Sequence, residues 1–99
     1  MAKYTYIPTN KASSVSILET NARAHVKITS LYLKERFGAP TIKYKANDEA
    51  EAASEWVFTD KSNKPFTVHI VKGQGSISAL ESARDLEVQD FMFWVTNKK

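Results

Sequence analysis

The feature that most constrains this chain is a pair of alternating apolar runs flanking a polar loop of five residues. Between 54 and 60, Trp56 and Phe58 project to one side, and Glu55, Val57 and Thr59 to the other. After Pro65, Phe66, Val68 and Ile70 alternate in the same way with Thr67, His69 and Val71. The intervening Asp60-Lys61-Ser62-Asn63-Lys64 is rich in side chains that bond their own backbone. Two period-two runs around such a loop predict an antiparallel hairpin.

The remaining elements are placed around that hairpin. Residues 3–7 alternate and stop at Pro8, which predicts a short strand or arm. Val15 and Ile17 alternate with serines, predicting a second strand over 14–19. A helix follows, capped either by Asn21 or by Thr29 or Ser30, with Leu31, Leu33 and Phe37 on its faces. Its end is sharper, because Gly38 suits the left-handed position after a helix and Pro40 forbids continuation. Over 41–46, Ile42, Tyr44 and Ala46 share one face and Thr41, Lys43 and Lys45 the other. The acidic stretch 47–53 connects this strand to the hairpin. Gly73-Gln74-Gly75-Ser76 breaks the chain after the hairpin, and Ser78 with Glu81 predicts a capping box for a short helix reaching about Leu86. Phe91-Met92-Phe93-Trp94-Val95, aromatic and β-branched, predicts a closing strand. The order β-β-α-β-β-β-α-β gives an α+β fold, mainly an antiparallel sheet with one or two helices packed on one face. At 99 residues it forms one domain, 1–99.

Composition narrows the function classes. An apolar fraction of 42% with 25% charged residues excludes a disordered chain. The absence of cysteine removes disulfides, thiolate metal sites and a cysteine nucleophile, and it fits a reducing compartment. No apolar run near the N-terminus suits a signal peptide, and none approaches a membrane span. Residues 1–47 carry eight Lys/Arg against two acids, whereas residues 48–99 carry six against nine. Such asymmetry either steers an anionic partner to the first half or serves solubility and head-to-tail self-association.

Catalytic constellations are sparse. His25 and His69 are the two histidines, and His69 lies opposite the apolar face of its strand, in a solvated or edge position. Asp48, Glu49, Glu51 and Glu55 lack the ligand spacing of a calcium loop and read as a solvated acidic turn. Gly73-Gln74-Gly75-Ser76 is either a simple turn or an anion contact, without the lysine of a P-loop. These features point to a protein that is not an enzyme and carries no cofactor or metal. The basic stretch interleaved with aromatics says more: Tyr32, Arg36, Lys43, Tyr44 and Lys45, together with Arg23 and Lys27. Aromatic faces stack on bases while Arg and Lys neutralise phosphates. The alternative is a core Tyr44 with its lysines on a solvated strand face.

Arg36-Phe37-Gly38-Ala39-Pro40, then Ser54-Glu55-Trp56-Val57-Phe58 and Pro65-Phe66-Thr67-Val68-His69-Ile70, form a pattern across residues 29–71. The pattern resembles the phage nucleotide-sponge proteins that defeat the Thoeris and CBASS immune systems. Where such proteins often carry an aromatic-Asp pair after the hairpin, this chain has His69-Ile70-Val71-Lys72. The resemblance implies a homo-oligomer in the cytoplasm of an infected bacterium that sequesters a cyclic nucleotide signal without cleaving it. Its candidate ligand-binding residues are Arg23, Tyr32, Arg36, Lys43, Lys45 and Trp56. Two further readings stand beside it. One is an inhibitor that binds a host defence protein through the aromatic 91–95 strand, and the other is a single-stranded nucleic-acid binder, disfavoured by the modest net charge of +3.

Overall fold

The computed structural model describes residues 6–8, 20–46, 52–62 and 64–97. In chain order the elements are β1 (Ile7–Pro8), β2 (Thr20–Val26), α1 (Ser30–Phe37), β3 (Ile42–Tyr44), β4 (Ala53–Thr59), β5 (Pro65–Val71), β6 (Gln74–Leu80) and α2 (Asp85–Thr96). The six strands form one sheet in the order β1-β4-β5-β6-β2, with β3 also pairing β4. Every pairing is antiparallel. The expected α+β architecture is what the chain forms.

The β4–β5 hairpin forms in the expected register, with Trp56 opposite Val68 and Phe58 opposite Phe66. Asp60 closes its loop, its carboxylate accepting from the Ser62 and Lys64 amides at 2.8 and 2.9 Å. Trp56, Phe58, Phe66, Val68 and Ile70 supply one face of the core, extended by Ile77 and Ala79 of β6. Leu33 of α1 and Val88, Phe91 and Val95 of α2 pack on that same face. Six rings interlock there: Tyr6, Phe37, Phe58, Phe66, Phe91 and Trp94. Tyr6 meets Phe91 edge-on at 5.0 Å, and Phe37 stacks on Trp94 at 5.5 Å. Such contacts add to the area that the rings remove from water, an important gain in so short a chain.

Thr29 rather than Asn21 caps α1, its side chain accepting from the Tyr32 amide at 3.0 Å. The helix ends at Gly38, with φ at 88° and its amide bonded to the Lys34 carbonyl. Asn21 instead belongs to β2, opposite Ala79.

Two expectations are corrected. The segment from Ser78 is not a helix: β6 runs on to Leu80, burying Gly75, Ile77 and Ala79 in alternation. The two glycines mark a hairpin rather than a break. Lys72 and Gly73 both have positive φ, 51° and 74°, and Val71 pairs Gln74, so the turn between β5 and β6 is the two-residue kind whose twist suits a hairpin. The second correction is that 91–95 is not a strand but the second half of α2. Val88, Phe91 and Val95 fall on one helical stripe. Met92 and Trp94 are half-buried beside them, which hides the period from a reading of the sequence. The initiating bond lies six residues further on than the expected box, with the Arg84 amide donating to Glu87 Oε1 at 2.9 Å. The expected strand over 14–19 and the acidic stretch 47–51 lie outside the described residues. Among the described residues no helix is long and apolar enough to cross a membrane.

Candidate anion-binding site

The basic and aromatic candidate residues singled out in the sequence separate into four places. Arg23, at an irregularity in β2, donates to the Leu80 carbonyl at 2.8 Å and to Asp85 at 2.9 Å. It thereby ties the sheet edge to the start of α2. Tyr32 and Arg36, one turn apart on α1, serve the other end of α2. The Tyr32 hydroxyl donates to the Val95 carbonyl at 2.8 Å, and the Arg36 guanidinium donates to Tyr32 Oη and to the Val95 and Asn97 carbonyls. A cation over the last carbonyls of a helix also meets the negative end of its dipole. The same guanidinium lies 4.9 Å from the Phe37 ring centroid and 5.3 Å from that of Trp94. Trp56 is 2% exposed, and its indole N–H donates to the Gly38 carbonyl at 3.0 Å, fixing the chain after α1. These four side chains are each held by other parts of the fold and do not converge on one place.

Lys43 and Lys45 lie elsewhere. The strand β3 pairs with the start of β4, and Lys43 stands opposite Ser54. There an open depression of about 550 Å³ is lined by Lys34, Lys43, Lys45 and Lys72, with Ser30, Ser54 and Ile70 among its other walls. All four lysines are exposed. None of the described residues that line the depression is acidic. Four elements supply its rim: α1, β3, the start of β4 and the β5–β6 turn. Ordinary ligand sites span roughly 300–1,000 Å³, so the size suits a small molecule. Ammonium groups on flexible stems, gathered on one rim, suit an anion with several oxygens, such as a phosphate ester.

Sequence reasoning did not select Lys34 or Lys72. Lys34 lies on the helix between Thr29 and Gly38, and Lys72 was hidden because the turn was read as a break. Had Val71-Lys72-Gly73-Gln74 been taken as a hairpin, Lys72 would have been placed at this end of the sheet.

Tyr44 is half of what was expected. It borders the depression, yet its ring turns to the sheet face opposite the helices and meets the His69 ring at 5.8 Å. Its hydroxyl donates to Glu55 Oε1 at 2.7 Å, and His69 Nδ1 lies 3.6 Å from the same oxygen. Burial, reinforced by the hydrogen bond to Glu55, pushes the Tyr44 hydroxyl up to about 12. The arrangement pins the lysine-bearing strand to the sheet. His69 therefore sits on the face expected of it, beside the buried Glu55 rather than in open solvent. Among the described residues no group of three His, Asp or Glu side chains converges to hold a metal ion.

No protein-family model, curated protein or solved structure matches this chain.

Proposed function

We propose that this protein is a binding module that holds a compact phosphate-bearing anion at the Lys34, Lys43, Lys45 and Lys72 depression, without chemical turnover. One observation carries the reading: four lysines from three separate segments of the chain line one open depression whose described walls contain no carboxylate. Ammonium groups gathered on one rim repel one another, and an anion among them relieves that repulsion. A cyclic nucleotide signal, the ligand implied by the resemblance, is the first ligand class to try. In that reading the protein sequesters the signal as a homo-oligomer during phage infection of a bacterium.

The geometry favours this over the two other readings. The surface required by a host-protein inhibitor was an aromatic strand at 91–95, and that segment is a helix with Phe91 and Val95 buried. A single-stranded nucleic-acid binder needs successive aromatic platforms along a basic groove. Here Trp56 is buried, and the hydroxyls of Tyr32 and Tyr44 are tied to partners within the fold rather than arrayed along one groove.

Titration calorimetry with cyclic dinucleotides, cyclic ADP-ribose isomers and inorganic pyrophosphate tests the proposal. Saturable binding of one of them, weakened by added salt, is expected. Absence of heat with all of them, using folded protein, ends it.

A further inference from the structure

A second depression, of about 430 Å³, lies against the lysine-lined one. Buried Ile28 and Gly75 and half-buried Val26 form its inner wall, while exposed His25, Lys27 and Gln74 border it. The two are neighbours through shared chain. Gly73 lines both, and the consecutive residues Thr29 and Ser30 line one each. The ridge between them therefore includes the tip of the β5–β6 turn, where Gly73 adds no side chain. Glycine also shapes the inner wall. A methyl group at Gly75 would stand 2.9 Å from the Val26 carbonyl oxygen and 3.0 Å from Ile28 Cγ2, so any larger residue displaces those walls. The two hollows differ in chemistry: one is walled by ammonium groups, the other by aliphatic side chains and bare backbone with two basic side chains at its edge.

We infer that the two depressions form one bipartite site for a phosphoester with a flat organic ring, the phosphates lying among Lys34, Lys43, Lys45 and Lys72 and the ring against Val26, Ile28 and the Gly73–Gly75 backbone. This rests on the anion-binding reading and adds to it the chemistry of the other half of the ligand. A ring at that wall exchanges water for aliphatic contacts, a gain that an inorganic phosphate chain cannot make. Tyr44 is not needed for stacking in this arrangement, which accords with its ring being turned to the other face of the sheet.

The test uses two probes with the same number of phosphates, inorganic tripolyphosphate and adenosine triphosphate, without divalent metal. Adenosine triphosphate is expected to bind at least about tenfold more tightly to the intact protein. Val26→Ser, which makes the wall polar, and Gln74→Trp, which fills the hollow from its rim, should each erase that advantage while leaving tripolyphosphate affinity unchanged. Lys43→Glu should weaken both probes together. Equal affinities for the two probes, or an advantage indifferent to both wall variants, overturns the bipartite site while the anion site stands. Failure of both probes to bind removes the anion reading itself, and the bipartite site with it. Thermal unfolding of each variant separates lost binding from lost fold.

Discussion

Arg23 and Arg36 stand at the two ends of α2, whereas Lys34, Lys43, Lys45 and Lys72 stand around a depression beside the β5–β6 turn. All but Lys72 belong to the same positively charged half of the chain. Each arginine reaches two acceptors on the C-terminal part: Arg23 donates to Leu80 and Asp85 through its two terminal nitrogens, and Arg36 to Val95 and Asn97 through Nη1. Lysine has no planar guanidinium, and its ammonium stays hydrated on a flexible stem. Among the described residues Lys34, Lys43 and Lys45 form no ion pair. The charge asymmetry between the two halves is thus partly answered inside the molecule, by arginine. The remainder, held by lysine, is what the proposed anion site draws on.

Substitutions can break that division or sharpen it. The largest effect on stability is expected from Trp56→Ala, at about 3–5 kcal/mol, because it opens a cavity in the core and frees the Gly38 carbonyl. Chemical denaturation measures this, and a loss below about 1 kcal/mol would return Trp56 to the candidate ligand residues. Arg36→Ala should follow, at about 2 kcal/mol, since it leaves the Tyr32 hydroxyl and two carbonyls near the end of α2 without their charged donor. Arg36→Lys should recover only part of that loss, and anion affinity should be unaffected by either change.

Titration gives smaller effects with definite signs. The hydrogen bond and charge of Lys64, with the Arg84 amide, hold the Glu87 carboxyl below its ordinary value of 4.5. The stability that rests on it is therefore present above pH 4.5 and lost as the pH falls below that value. Glu87→Gln should flatten this acid limb in denaturation measured across pH. Tyr44 behaves oppositely. Its raised value means that the neutral hydroxyl is favoured in the fold, so its contribution is intact below pH 10 and is lost as the pH climbs from 10 toward about 12. Ultraviolet titration of tyrosinate should show this late component, absent in Tyr44→Phe. The smallest change in stability, within about 0.5 kcal/mol, is expected of Lys43→Glu combined with Lys45→Glu, both exposed. The same variant should give the greatest loss of anion affinity, at least about tenfold, read by calorimetry. Unchanged affinity there would dissolve the distinction between the two sets of cations.

The hairpin of β4 and β5, the end of α1 at Gly38 and the α+β class were legible because each is written in local chemistry: alternation, a self-bonding loop, a residue tolerant of positive φ. The segment after Ile70 was not. In β6 the buried positions are Gly75, Ile77 and Ala79, two of them too small to register as an apolar stripe. In α2 the opposite difficulty holds, since apolar residues surround the stripe of Val88, Phe91 and Val95. Lys43 and Lys45 were found because a strand puts alternate residues on one face. Lys34 and Lys72 were missed because nothing local joins a helix to a distant turn.

By itself, then, the sequence determined where backbone conformation must change and which side chains cannot remain in water, since both are properties of short stretches of chain. Only the tertiary structure decided which charges would be bonded across the fold and which would stand around an open depression. That outcome depends on which acceptors lie within reach of each cation, and reach is set by how α2 closes over the sheet.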